Sequence, residues 1–108
     1  MTGEKKETST IGTEFKIKVQ MERIDGHSLS DLDFHVEVFT DRSKKRILYE
    51  KEKCIMLDED SYAIPVDSQE LGSGRYFISI TVYIPDTHFP EGVRKDVSTF
   101  YSGKEIMA

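Results

Sequence analysis

The segment Leu71-Gly72-Ser73-Gly74-Arg75-Tyr76-Phe77-Ile78-Ser79-Ile80-Thr81-Val82-Tyr83-Ile84 alternates with period two from Tyr76 to its end. Successive side chains of an extended chain point to opposite faces, so this period predicts a strand and not a helix. Tyr76, Ile78, Ile80, Val82 and Ile84 share one face, while Phe77, Ser79, Thr81 and Tyr83 share the other. Apolar or aromatic groups on much of both faces predict a central strand. Pro85-Asp86 stops it.

The same period continues on either side. Phe15, Ile17, Val19 and Met21 point one way, with Lys16, Lys18, Gln20 and Glu22 opposite. Asp25-Gly26 supplies a turn, because glycine tolerates positive φ and aspartate bonds its own backbone. Leu32, Phe34, Val36 and Val38 then alternate with Asp33, His35 and Glu37. Residues 46–50 carry Ile47 and Tyr49 on one face, and residues 53–57 follow; these read equally as one bulged strand or as a pair that switches sheets. Tyr62, Ile64 and Val66 resume the pattern with Pro65 among them, and a residue without an N–H predicts an edge or a bulge. Residues 93–101 form the last run. No helical period holds for three turns.

Seven short runs separated by turn signals predict an all-β, immunoglobulin-like antiparallel sandwich of about seven strands, with a small closed barrel as the competing architecture. Leu71, Gly74 and Tyr76 ahead of the central strand resemble a tyrosine corner, in which the ring packs in the core and its hydroxyl bonds upstream backbone. A plain glycine-rich loop with a buried tyrosine is the other reading; Tyr76 is structural in both. Residues 1–12 read as a polar flexible lead-in, and 13–108 as one domain, which suits a chain of 108 residues.

The formal net charge of −5 argues against a nucleic-acid partner, since neutralising phosphates needs a basic face. The basic stretch Arg42, Lys44, Lys45, Arg46, Lys51 and Lys53 is interleaved with Glu50 and Glu52. It reads first as a solvated turn and a charged edge strand. A phosphate or acidic-partner patch is the second reading. Residues 1–10 show no signal peptide, and no apolar run approaches the ~20 residues of a membrane helix, so membrane insertion is not expected. Cys54 is the only cysteine, so no intrachain disulfide forms; within Cys54-Ile55-Met56-Leu57 it is expected to be a buried structural thiol.

Catalytic and metal chemistry finds little footing in the residue pattern. His27, His35 and His88 lack the close spacing of a zinc pair and lie away from Cys54. The run Asp58-Glu59-Asp60 raises calcium, held through Asp58 and Asp60. An EF-hand loop starting there would place Ala63 at the turn glycine and Gln69 at the bidentate glutamate. Loops pooling Asp31, Asp33, Asp41 or Asp86 at one end of a sandwich are a further route; solvated turn carboxylates are the plainer one. No nucleophile elbow or phosphate cradle is present, so no enzyme and no cofactor are expected. The alternation assigns Phe39, Phe77, Tyr83, Phe100 and Tyr101 partly to outward faces. A free monomer keeps such faces polar, so these rings are candidate interface residues.

Four stretches together carry a resemblance: Leu29-Ser30-Asp31-Leu32-Asp33-Phe34-His35-Val36-Glu37-Val38-Phe39-Thr40, Asp58-Glu59-Asp60-Ser61-Tyr62, the Leu71–Tyr76 corner, and Ile84-Pro85-Asp86 with Phe89-Pro90-Glu91-Gly92-Val93-Arg94. Over about residues 13–101 this layout is similar to small β-sandwich domains of tailed-phage and prophage structural proteins. Examples are the N-terminal domains of baseplate upper proteins, and the layout also looks like proteins of gut Bacteroidetes prophages. The resemblance implies a non-catalytic tail or baseplate adaptor, contacting other copies of itself or other structural proteins. It implies a virion-associated or host-cytoplasmic location and brings no catalytic residues with it. The alternative is a cell-surface or secreted binding module of carbohydrate or adhesin type.

Overall fold

In a computed structural model that describes residues 7–108, eight strands form two sheets. The strands are β1 (Glu7–Thr10), β2 (Glu14–Gln20), β3 (Asp33–Thr40), β4 (Arg46–Glu50), β5 (Ile55–Asp58), β6 (Ser61–Asp67), β7 (Gly74–Pro85) and β8 (Val93–Met107). A single-turn helix, α1 (Ser68–Leu71), links β6 to β7. The larger sheet has the order β1-β8-β7-β3-β4 and the smaller β2-β6-β5. Neighbours are antiparallel except β1 and β8, which are parallel.

The two sheets pack face to face through the residues that period two assigns inward. Ile17 and Val19 of β2 and Tyr62, Ile64 and Val66 of β6 meet Phe34, Val36 and Val38 of β3 and Tyr76 to Ile84 of β7. The expected all-β sandwich is therefore the observed architecture, and the sheets remain separate rather than closing into a barrel. β7 is central in the larger sheet, between β8 and β3, as its two apolar faces predict.

At the corner, Tyr76 is fully buried and its hydroxyl donates to the Gly72 carbonyl at 2.6 Å. Burial pushes the phenol pKa up to about 12. Gly74 has φ +133°, and a Cβ there would stand 2.8 Å from Asp41 Oδ1. That oxygen accepts the Arg75 N–H at 3.0 Å, so the glycine lets the β3 end and the β7 start close together.

Several expectations change. Residues 1–6 of the expected flexible lead-in lie outside the described residues, but Glu7–Thr10 form β1 along Lys104 to Met107. Polar Glu7-Thr8-Ser9-Thr10 carries no period, so only the free edge of β8 reveals this pairing. The last strand runs past Tyr101 to Met107 after a register break between Arg75 and Phe77. Ile106 at its end is fully buried. Burying such a side chain contributes roughly 1.5–3 kcal/mol, which holds the tail against the core.

Residues 46–57 are two strands in different sheets, joined by a 3-10 turn at Lys51–Lys53. Lys51 pins this crossing, its ammonium donating to the carbonyls of Ser30 at 2.8 Å and Leu32 at 2.7 Å. Cys54 is half-buried rather than buried, because the β5 it leads into is an edge strand. Desolvation still pushes its thiol up to about 11, which keeps it protonated at neutral pH. Pro65 lies on β6, the middle strand of the smaller sheet, yet β5 pairs only with Ser61–Ala63. Opposite Pro65 there is therefore one neighbour, β2, and the strand is locally an edge.

Candidate interaction surface

Strand register sets four side chains in a row across the outer face of the larger sheet. Arg46 of β4 stands opposite Phe39 of β3, Phe39 opposite Phe77 of β7, and Phe77 opposite Tyr101 of β8. Directly opposed side chains lie close enough for rings to touch. Phe39 and Phe77 stack with centroids 5.8 Å apart and planes inclined by 16°. Phe77 and Tyr101 are 5.3 Å apart at 43°. The Arg46 guanidinium caps the row 4.1 Å from the Phe39 centroid, a cation–π contact, and also reaches Glu37 at 3.4 Å. Phe39 and Phe77 are half-buried by these neighbours, while Tyr101 keeps 37% of its surface exposed.

The remaining face is mostly polar. The next rows hold Leu48, Glu37, Ser79 and Thr99, then Glu50, His35, Thr81 and Val97. Thr99 Oγ1 and Ser79 Oγ are bonded at 3.1 Å.

Of the five rings expected outward, Phe39, Phe77 and Tyr101 come together. Tyr83 lies farther along β7, roughly 20 Å from Phe77 at ~3.4 Å per residue. Its ring leans on His35, with the hydroxyl 3.2 Å from Nδ1. Phe100 is not on this face at all. It pairs with buried Ile78 and so points to the inter-sheet side, as a neighbour of Tyr101 must. There the three-stranded sheet does not reach far enough to cover β8. Phe100 stays 38% exposed, lining a cleft of about 180 Å³ with Val19, Met21, Leu29 and Val82.

Arg46 belongs to the basic stretch that reads first as a solvated turn and edge strand, and no local pattern marks it as the cap of an aromatic row. Only the pairing of Arg46 with Phe39 does so.

Several of the loop carboxylates are engaged by their own chain. Asp58 Oδ1 accepts the Asp60 N–H at 2.8 Å, which holds its pKa below the ordinary 3.8. Asp60 and Glu59 both face Arg23, at 3.8 and 2.8 Å. Asp41 is lowered by the Arg75 N–H and guanidinium, and Asp86 by the His88 N–H, then the His88 ring and Arg94. Among the described residues, no three His, Cys, Asp or Glu side chains gather in a metal-binding arrangement. No helix of the described residues is long and apolar enough to cross a membrane.

No protein-family model, curated protein or solved structure matches this chain.

Proposed function

We propose that this sandwich is a non-catalytic assembly domain, immunoglobulin-like in kind, that docks through the outer face of its five-stranded sheet. The row Arg46–Phe39–Phe77–Tyr101 carries this reading. Aromatic rings and arginine are the residues that anchor protein interfaces, and here they form one continuous strip on a face whose other rows mix polar residues with exposed Leu48 and Val97. The row is already stacked, so docking on it costs little side-chain entropy. A tail or baseplate adaptor, as the resemblance implies, has need of such a face. The engagement of Asp41, Asp58 and Asp86 by arginine and backbone N–H groups supports a structural role for these carboxylates rather than proton transfer.

Light scattering over a concentration series tests the proposal. The expected result is a closed oligomer, or a stable complex with a co-expressed structural neighbour, that is lost in Phe77→Ser. A chain that remains monomeric and binds no such neighbour overturns it. The same platform of rings also suits stacking on a sugar. Glycan-array binding that needs Phe77 and Tyr101 would instead support the cell-surface or secreted binding module.

A further inference from the structure

One end of the molecule reverses its overall charge. The chain carries a formal −5, yet Arg42, Lys44, Lys45 and Arg46 follow one another with no acidic residue among them. They lie in the turn from β3 into the start of β4, and all four are exposed. Buried Thr40 shapes this turn, its hydroxyl accepting the N–H groups of Arg42 and Ser43 at 3.3 and 3.1 Å. Beside the turn, exposed Arg75 is ion-paired to Asp41 at 2.9 Å and stands opposite Glu105. Lys45 donates to the Glu70 carbonyl. Arg42 and Lys44 make no ion pair among the described residues.

The aromatic row begins where this turn ends. Arg46 is both the last cation of the turn and the cap on Phe39. Its contact with Glu37, 3.4 Å through one nitrogen, is longer than the ~2.7–2.9 Å of a charge-assisted bond. Most of the guanidinium's donors are left over. From Arg46 to Tyr101 the row crosses from β4 through β3 and β7 to β8, roughly 14 Å at the usual strand spacing. About four extended residues span that length. A ligand that fits carries its negative charge at one end and an apolar or aromatic group at the other. Nucleic acid does not, because each of its residues bears a phosphate and the same face carries Glu50 and Asp33 away from the turn. The acidic run of a second copy does not fit either, since Asp58, Glu59 and Asp60 are engaged by Arg23 and their own backbone.

We propose that the aromatic row takes an acidic segment of a partner protein. Its carboxylates lie on Arg42, Lys44 and Arg46, and an apolar side chain about four residues away lies on Phe77 and Tyr101. This partner chemistry rests on the docking face proposed above, and charge complementarity selects it.

Selection of a displayed random-peptide library on the intact chain tests it. Recovered sequences should pair a cluster of Asp or Glu with an aromatic or aliphatic residue about four positions away. Synthetic peptides made from them should bind less tightly as salt is raised, because exposed charges are screened. Arg42→Glu with Lys44→Glu should lower their affinity about tenfold or more, and Phe77→Ser should do the same. Lys95→Glu, exposed on the same face ~20 Å from Tyr101, should leave it unchanged. The charge reversals are at exposed positions, so circular dichroism should match wild type, and they keep the test sound if Phe77→Ser unfolds. Peptides that need Phe77 but are indifferent to Arg42→Glu with Lys44→Glu overturn the inference and leave the docking face standing. Peptides indifferent to both overturn both. A library that yields no acidic sequence overturns the inference, as does binding of a single-stranded oligonucleotide in place of peptide through the same residues.

Discussion

Tyr76 shows what a single side chain can hold. Its ring packs edge-on to Phe15 of the opposite sheet, with centroids 5.3 Å apart, while its hydroxyl reaches back to the Gly72 carbonyl. One residue therefore ties together β2, the turn after α1 and the start of β7. Tyr76→Phe keeps the ring contact and removes the hydroxyl, leaving a partly buried carbonyl without its donor. The expected cost is about 1–3 kcal/mol, read as a lower urea midpoint with an unchanged m-value. Leu71, Gly74 and Tyr76 were legible in the sequence because a corner is local, its parts lying within one turn of chain. Arg46 was not, because its aromatic partner Phe39 lies across a hairpin and the pairing register decides that they meet.

At the scale of elements, the crossing between β4 and β5 depends on Lys51. Its ammonium satisfies two carbonyls of the 3-10 turn and following residue at Leu29–Leu32, and stands 5.8 Å from the Phe34 centroid. Lys51→Met retains most of the aliphatic stem but leaves both carbonyls without that donor. We expect a loss of about 1–3 kcal/mol in chemical denaturation. Lys53→Met, two residues on and exposed, should stay within about 0.5 kcal/mol of wild type. Equal effects at the two positions would mean that Lys51 contributes only its charge. The sequence left residues 46–57 open between a bulged strand and a sheet-switching pair. Both have the same period, and the difference lies in which neighbour each half finds.

For the molecule as a whole, the lowered carboxyl pKa values of Asp41, Asp58 and Asp86 contribute to its response to acid. Each carboxylate is held below the ordinary 3.8, so the unfolded chain binds the proton more readily than the folded one. Their stabilisation is present above that value and is lost as pH falls through the lower folded values. Urea midpoints measured from neutral to strongly acidic pH should hold level in this respect and then drop below about pH 4. Asp41→Asn should make the drop shallower, since it removes one of the three contributions. A midpoint that rises on acidification would contradict these shifts.

Period two by itself determined that this chain is all-β, which residues of the runs at 15–21, 32–38, 62–66 and 76–84 face the core, and where the central strand and its corner lie. Those properties follow from the alternation of side chains along an extended backbone and from turn residues a few positions apart. Tertiary structure alone decided the rest: the parallel docking of Glu7–Thr10, the separation of Phe100 from Tyr101, and the row capped by Arg46. All of these depend on which strand lies beside which and in what register. Backbone hydrogen bonding is nearly indifferent to that choice, and the packing of two sheets of unequal width settles it.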